Sequence, residues 1–344
     1  MLSSLEKYSH SLQSFDLEKF IPREITHLNM NLDDGIDVRA LTQGLSCPIW
    51  DMFDRRGKAL CSHLCLIVSS MLSLPYSVMV PLAHCVEIIH TASLIFDDIE
   101  DNSKNRRGKP CTHLLFGLDR AVNLGTYIYF LPLSIISSLN IPEDSKYRLI
   151  KTLSQETNNM HYGQTIDIEW NKDDFIPSES QYIKMVSNKA SGLVRLASKF
   201  PLTLSNPSQD LVKVLVDHSD NLGICFQIWD DLLNLTSIEY AKKRSYLGED
   251  ISEGKKTLIV IRALKENKRN SERLKAILKS KTNDQELVKE AIGIIKETDA
   301  LEYCEEFSRK ILNESWGRLD KVFPDSQAKE DLHTLSFNVI NRKV

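Results

Sequence analysis

The sequence contains no Cys-x-x-Cys pair and no close His/Cys set of the zinc type, and its seven cysteines are an odd number. These gaps argue against a disulfide framework or a structural zinc; the thiols read as scattered buried groups of a reducing compartment. Helix breakers are also scarce, with 13 glycines and 11 prolines in 344 residues, while Leu/Ile/Lys/Glu-rich stretches are long, so helices are favoured over strands and turns. A formal net charge of only -4 removes the electrostatic grounds for a nucleic-acid partner. Any anion has to be met by a local cluster. The N-terminal MLSSLEKYSH carries Glu6 early and lacks an apolar run, unlike a secretory signal. No apolar stretch approaches the ~20 residues of a membrane span, because the longest, around Leu64 to Val80, is interrupted by Ser and Pro. The expectation is a cytoplasmic protein without stable membrane insertion.

A chain that is 42% hydrophobic at this length can bury a sizeable core. Residues 1 to about 35 are polar and mixed, and read as peripheral helices. From Pro48 onward, apolar residues recur at spacings of three and four, which predicts core-facing helices over 57–72, 78–101, 119–139, 146–171, 178–201, 208–236 and 256–266. Punctuation separates them at Leu74-Pro75, Arg107-Gly108-Lys109-Pro110, Asn140-Ile141-Pro142, Pro177-Ser178 and Ser205-Asn206-Pro207. Ser178 and Ser208, each followed closely by an acid, are candidate helix starts. Beyond residue 270 the pattern is amphipathic and highly charged, as in outer helices. With no internal repeat and no linker, residues 36–344 read as one all-α domain.

Two constellations carry chemistry. Ser93-Leu94-Ile95-Phe96-Asp97-Asp98-Ile99-Glu100-Asp101 is an apolar helix ending in four carboxylates within five residues. Asp97 and Asp101, four apart, share a helix face, where like charges repel unless a cation offsets them. The bland reading is a solvated helix end; the Leu/Ile/Phe run directly before the acids weakens it. Hard oxygen donors of this kind suit Mg²⁺, which keeps several waters and bridges to substrate phosphates. Phe226-Gln227-Ile228-Trp229-Asp230-Asp231-Leu232-Leu233-Asn234 repeats the theme, with Asn234 four residues after Asp230. Lys104, Arg106 and Arg107 follow the first patch, Lys255 and Lys256 follow the second, and Lys189 lies between them. Metal-binding acids together with phosphate-binding bases describe a trap for a diphosphate, held between two acidic patches on facing helices.

The ordered set Asp97-Asp98-x-x-Asp101, Arg106-Arg107-Gly108, Gly163-Gln164-x-x-Asp167 and Phe226-Gln227-x-x-Asp230-Asp231-x-x-Asn234 resembles the trans-isoprenyl diphosphate synthases. The stretch from His90 to Lys104 looks most like the geranylgeranyl diphosphate synthases, and the match runs from about Trp50 to about Thr257. The resemblance implies a helical bundle of the isoprenoid synthase type around a central apolar cavity, acting as a homodimer on prenyl diphosphates. It implies that Asp97, Asp98 and Asp101 hold two Mg²⁺ ions and that Asp230 and Asp231, with Asn234, hold a third. Arg106, Lys189 and Lys255 would neutralise the allylic diphosphate. Gln164, Asp167 and Gln227 would be polar partners of metals, waters or substrate. Isopentenyl diphosphate would sit on Lys58, His90 and Arg107. The growing chain would pass the helix before Asp97, where Ala92 and Ser93 are small enough for a product longer than farnesyl, unless Phe96 or the aromatics near Tyr127, Tyr129 and Phe130 close the way. His113 matches a family histidine of open role.

The pattern breaks at one place. Where the family reads Gly-Gly-Lys-x-x-Arg, this chain has Arg56-Gly57-Lys58-Ala59-Leu60-Cys61, so a bidentate phosphate donor is missing. Either Arg55 or Arg56 compensates, or isopentenyl diphosphate is bound poorly. The readings carried forward are chain elongation to geranylgeranyl diphosphate, a terpene synthase or transferase with another acceptor, and a regulatory partner subunit.

Overall fold

Side chains write several helix starts directly. Ser178 accepts the Gln181 N–H and Gln181 reaches back to the Ser178 N–H, a reciprocal cap opening the helix Glu179–Lys189. Ser208 accepts the Leu211 N–H and opens Gln209–Thr236. The computed structural model describes residues 3–55, 57–243, 246–266 and 269–342. The remaining elements that position the site are the helices Leu60–Met71, Tyr76–Glu100, Leu118–Ser138, Glu143–Lys172, Ser191–Ser205 and Leu258–Glu266. The described strands form one two-residue antiparallel ribbon, Asn105–Arg106 with Lys109–Pro110. Its two turn residues, Arg107 and Gly108, have φ of 54° and 78°, the positive values that a two-residue hairpin loop requires.

The segment 178–201, expected as one helix, is two: Glu179–Lys189 stops at Ala190 and Ser191–Ser205 follows it. Apolar spacing continues across this break, so periodicity alone does not show it.

The chain divides into two compact units. The first comprises residues 1–152 and 200–206, and so includes the N-terminal segment to residue 35. In it, Tyr76–Glu100 packs on Leu118–Ser138 and Leu60–Met71. Met79, Leu82, Ala83, Val86, Ile89 and Ala92 are fully buried there, each large side chain contributing about 1.5–3 kcal/mol by leaving water. The second unit comprises residues 153–199 and 207–344. Its central helix Gln209–Thr236 packs on Glu179–Lys189, Ala300–Asp320 and Gln327–Asn341. His218 is fully buried and spans the last two, with Nδ1 3.1 Å from Ser315 Oγ and Nε2 2.9 Å from Ser336 Oγ. Burial pushes this imidazole down to about 4, which keeps it neutral in the core.

One expectation needs correcting. Tyr76–Glu100 and Leu118–Ser138 are both long and apolar enough, by length and composition, to cross a membrane. The serines and prolines that interrupt the runs do not lower the mean hydropathy enough to prevent it. Core helices meet the same criterion, and 61% and 44% of the two apolar windows are buried within the chain.

Candidate active site

In the first unit, Asn102 with φ 53° ends the helix Tyr76–Glu100: the Ser103 N–H returns to the Asp98 carbonyl at 2.9 Å and the Asn102 N–H to Ile99 at 3.2 Å. The chain then reverses through the ribbon and brings Arg106 back onto the acids. Asp98 is 1% exposed, and its Oδ1 accepts both Nε of Arg106, at 2.8 Å, and the NH2 group. The same NH2 stands 3.5 Å from Asp97. Arg106, expected to hold substrate oxygens, is itself 6% exposed and committed to these carboxylates. Asp98, expected among the metal ligands, is buried on that guanidinium, while its Oδ2 has no hydrogen-bond partner among the described residues. Asp97 and Asp101 remain partly exposed on the shared face.

The residues proposed for isopentenyl diphosphate are also in this unit. Lys58 is exposed. Arg107 lies so close to Gly57 that a Cβ there would stand 2.6 Å from its NH2. Between His90 and Arg107 sits Glu87, which the sequence reading missed: Oε1 is 3.7 Å from His90 Nδ1 and 3.8 Å from Arg107 NH2, and Ser62 Oγ donates to Oε2 at 3.4 Å. Burial raises the Glu87 carboxyl, but His90 and Arg107 outweigh it and hold the group below its ordinary range. Cys61 is buried, which pushes its thiol far up. Arg55 does not take the missing arginine's place: its side chain is 1% exposed and spent on Asp51, at 2.5 and 3.0 Å, and on the Arg106 carbonyl. Arg56 lies outside the described residues.

Ala92 is fully buried, so it does not form an open floor. Phe96 fits over Gly125 and stacks on Tyr129 at 5.8 Å. Phe130 is 63% exposed rather than lining a wall. Both ring nitrogens of His113 are buried without a hydrogen-bond partner among the described residues.

The second unit holds the other patch. Asp231 is 5% exposed; the Tyr182 hydroxyl donates to Oδ2 at 2.7 Å and Gln227 Nε2 to Oδ1 at 2.7 Å. Both donors are neutral. Burial, and then the charges of Asp250 and Asp230, push this carboxyl up to about 8. Asp230 has other partners: it accepts the Tyr240 hydroxyl at 2.6 Å and Arg342 NH2 at 3.1 Å, while the Arg342 guanidinium lies over the Phe226 ring. Asn234, expected with the metal set, is buried and gives its side-chain oxygen to the Asp250 N–H at 3.3 Å. Lys189 donates to Asp167 at 2.6 Å. Lys255 stands 2.6 Å from Glu253 and 3.6 Å from Asp250. Lys256 instead ties the carbonyls of Trp170 and Asp173, at 2.5 and 3.1 Å. Gln164 is partly exposed on the Asp167 helix. A cavity within this unit brings together Asp167, Tyr182, Lys189, Gln227, Asp231 and Lys255. Sequence spacing could not reveal Tyr182 or Arg342, which lie 49 and 112 residues from their acids.

The two acidic motifs therefore sit near the C-terminal ends of two helices, and within the second unit Asp167, Lys189, Asp231 and Lys255 share one cavity. Residues 42–295 match the family model described as polyprenyl synthetase. The chain belongs to that family. Among curated relatives, a polyprenyl synthetase homologue from Macrophomina phaseolina described as a geranylgeranyl pyrophosphate synthase is 36% identical over 248 residues, covering 72% of this chain and 73% of its own. One from Penicillium canescens, described likewise, is 32% identical over 283 residues, 82% of each chain. Among solved structures, the geranylgeranyl pyrophosphate synthetase of Pyrococcus horikoshii superposes with a TM-score of 0.83 at 25% identity, covering 99% of this chain and 98% of that one. The all-α polyprenyl synthetase fold and a trans-prenyltransferase activity follow.

Among the described residues, no three His, Cys, Asp or Glu side chains converge into a ready metal cage. Mg²⁺ needs none, since one or two carboxylates plus substrate phosphates and water complete its shell. The donors fit such an ion: all are hard oxygens, Asp98 keeps an unpartnered one, and Asp231 is crowded by acids that a cation would relieve.

Proposed function

We propose that this polyprenyl synthetase is Mg²⁺-dependent, with up to three ions per site, and condenses an allylic diphosphate with isopentenyl diphosphate to geranylgeranyl diphosphate. The observation that carries the reading is the cavity in which Lys189 and Lys255 stand among Asp167, Gln227 and Asp231, cations for phosphate beside acids for metal. The curated relatives support the product.

Bound Mg²⁺ supplies positive field against the charge that builds on the departing diphosphate. The protein's own side chains do the rest. Lys189 and Lys255 would exchange their carboxylate partners for phosphate oxygens. Tyr182 and Gln227 hold Asp231 in one orientation, so no reorganisation is needed when charge develops. In the other unit, Lys58, His90 and Arg107 would receive the diphosphate of the second substrate.

A second copy of the chain would cover the exposed apolar side chains Leu118, Val122 and Phe130 of the helix Leu118–Ser138 and Leu115 before it, since exposed large apolar residues of this kind mark an interface; light scattering on Phe130→Glu tests that dimer. The activity test is incubation of the protein and Mg²⁺ with geranyl, farnesyl or geranylgeranyl diphosphate, with and without isopentenyl diphosphate. Elongation that depends on isopentenyl diphosphate is expected. The buried Cys61 and the committed Arg55 favour one alternative outcome, release of diphosphate with a hydrocarbon or alcohol and no second substrate, which would replace the reading with a terpene synthase.

A further inference from the structure

Lys189 is the last residue of its helix, beside the break at Ala190, and a long flexible side chain there has to be aimed by its backbone. That backbone is fixed from three directions. Behind it, the helix Glu143–Lys172 presents Gly163, where a Cβ would lie 2.3 Å from the Lys189 nitrogen and 2.7 Å from its Cα. One turn further along the same face is Asp167, which receives the Lys189 ammonium. Gly163 thus lets the two backbones touch, and the touch puts Nζ within reach of Asp167. On another side, Gly223 of the helix Gln209–Thr236 approaches Ser191, with a Cβ there 2.5 Å from Ser191 Cα and Oγ.

The third restraint is ionic and buried. The Ser187 carbonyl belongs to the last turn of Glu179–Lys189, where helix carbonyls lack partners. Arg195 NH1 fills that need at 2.6 Å and also pairs with Asp220. Asp220 in turn receives the Ser187 hydroxyl at 3.0 and 3.1 Å, and its carbonyl receives the Ser191 hydroxyl at 2.8 Å. The opposite edge of the Arg195 guanidinium is gripped by Glu156, itself 1% exposed, at 2.9 and 3.0 Å, with Lys199 on the other Glu156 oxygen. A point charge could not make these contacts at once; a planar fork can. None of these groups lines the cavity that Lys189 enters.

We propose that Arg195 is a positioning residue for the reaction: with Asp220 and Glu156 it clamps the Ser187–Ser191 helix junction against Gly163 and Gly223, and so sets where the Lys189 ammonium meets the allylic diphosphate. This rests on Lys189 as a diphosphate contact. A conserved charge without the fork, a lost hydroxyl and an added methyl then perturb the same quantity by three routes.

The test compares Arg195→Lys, Ser187→Ala and Gly163→Ala with Lys189→Met in the full chain with Mg²⁺, measuring KM for geranyl diphosphate, KM for isopentenyl diphosphate, kcat and the thermal midpoint. Arg195→Lys and Gly163→Ala are expected to raise KM for geranyl diphosphate on the order of tenfold, given that a 1 Å misplacement costs up to about 10²-fold, and Ser187→Ala less. KM for isopentenyl diphosphate stays within about twofold. Equal rises in both KM values that track a falling midpoint would show a purely structural network and overturn the proposal. If Lys189→Met raises KM for geranyl diphosphate while the three junction variants leave it unchanged, the clamp alone is wrong. If Lys189→Met is silent, the proposal falls together with the role of Lys189. Should Arg195→Lys fail to fold, the other two variants carry the comparison.

Discussion

Near the end of the helix Tyr76–Glu100 a buried carboxylate, Asp98, meets a buried guanidinium, Arg106; near the end of Gln209–Thr236 a buried carboxylate, Asp231, accepts hydrogen bonds from a phenol and an amide. The two patches read almost alike in sequence. Their electrostatics differ in kind. The first is largely neutralised from within, leaving Asp97 and Asp101 to act outward. In the second, neutral donors orient Asp231 while burial and the neighbouring acids raise its carboxyl to about 8, so a bound cation, which favours the ionised form, changes that patch more. Similar motifs can thus divide the labour, one rigid before metal arrives and one completed by it.

The comparison breaks most sharply at its centre. Asp98→Asn breaks the buried ion pair and leaves Arg106 with the longer contact to Asp97 at 3.5 Å, a cost of about 3 kcal/mol, whereas Asp231→Asn keeps the shape, gives up one of its two accepted hydrogen bonds and costs less, about 1 kcal/mol. Chemical denaturation of the metal-free proteins reads the difference; equal losses would erase the contrast. For turnover, Asp97→Ala and Asp230→Ala each forfeit an electrostatic contact of about 3 kcal/mol or more. Product assays beside circular dichroism should show rates down by two or more orders of magnitude with helicity intact.

Cys61→Arg sharpens the view of the first unit. A restored charge-assisted phosphate contact contributes roughly 1.5–3 kcal/mol. Because Glu87 is close enough to act on Cys61, the new guanidinium shares itself with that acid, and the drop in KM for isopentenyl diphosphate should be near the low end, about tenfold. Ala92→Phe now carries a different expectation from an open floor: inserted into a sealed contact, it overpacks by about 1–3 kcal/mol, so the thermal midpoint should fall before the product spectrum moves.

The smallest effect concerns pH. In the fold the Asp231 carboxyl is raised from 3.8 to about 8, so the folded protein binds its proton more tightly than the unfolded chain. That stabilisation is complete below about pH 4 and is lost as pH rises through about 8. In chelator, the wild-type midpoint should decline over this window relative to Asp231→Asn, and Mg²⁺ should shrink the gap.

Much of this arrangement was legible from residue spacing. The two acidic runs, the capped starts at Ser178 and Ser208 and most helix bounds depend on neighbours within one or two turns, and short-range patterns record those. The helix break at Ala190 left no mark because apolar spacing passes through it. Arg106 was read as a substrate cation because sequence shows a charge but not its burial. Tyr182 and Arg342 went unseen for a simpler reason: an oriented hydrogen bond between distant segments has no local signature, and although Glu87 has His90 three residues on, its contacts to Ser62 and Arg107 come from other segments.

The cysteines offer a use of their own. Cys47 is exposed, while Cys61, Cys65, Cys85 and Cys111 in the first unit and Cys225 and Cys304 in the second are buried. A thiol reacts as thiolate and only when solvent reaches it. Under native conditions Cys47 should therefore label at once, and each of the others only as often as its surroundings open. The chain thus carries a built-in clock for each half, in which mass spectrometry of alkylated peptides can time the opening of one unit independently of the other.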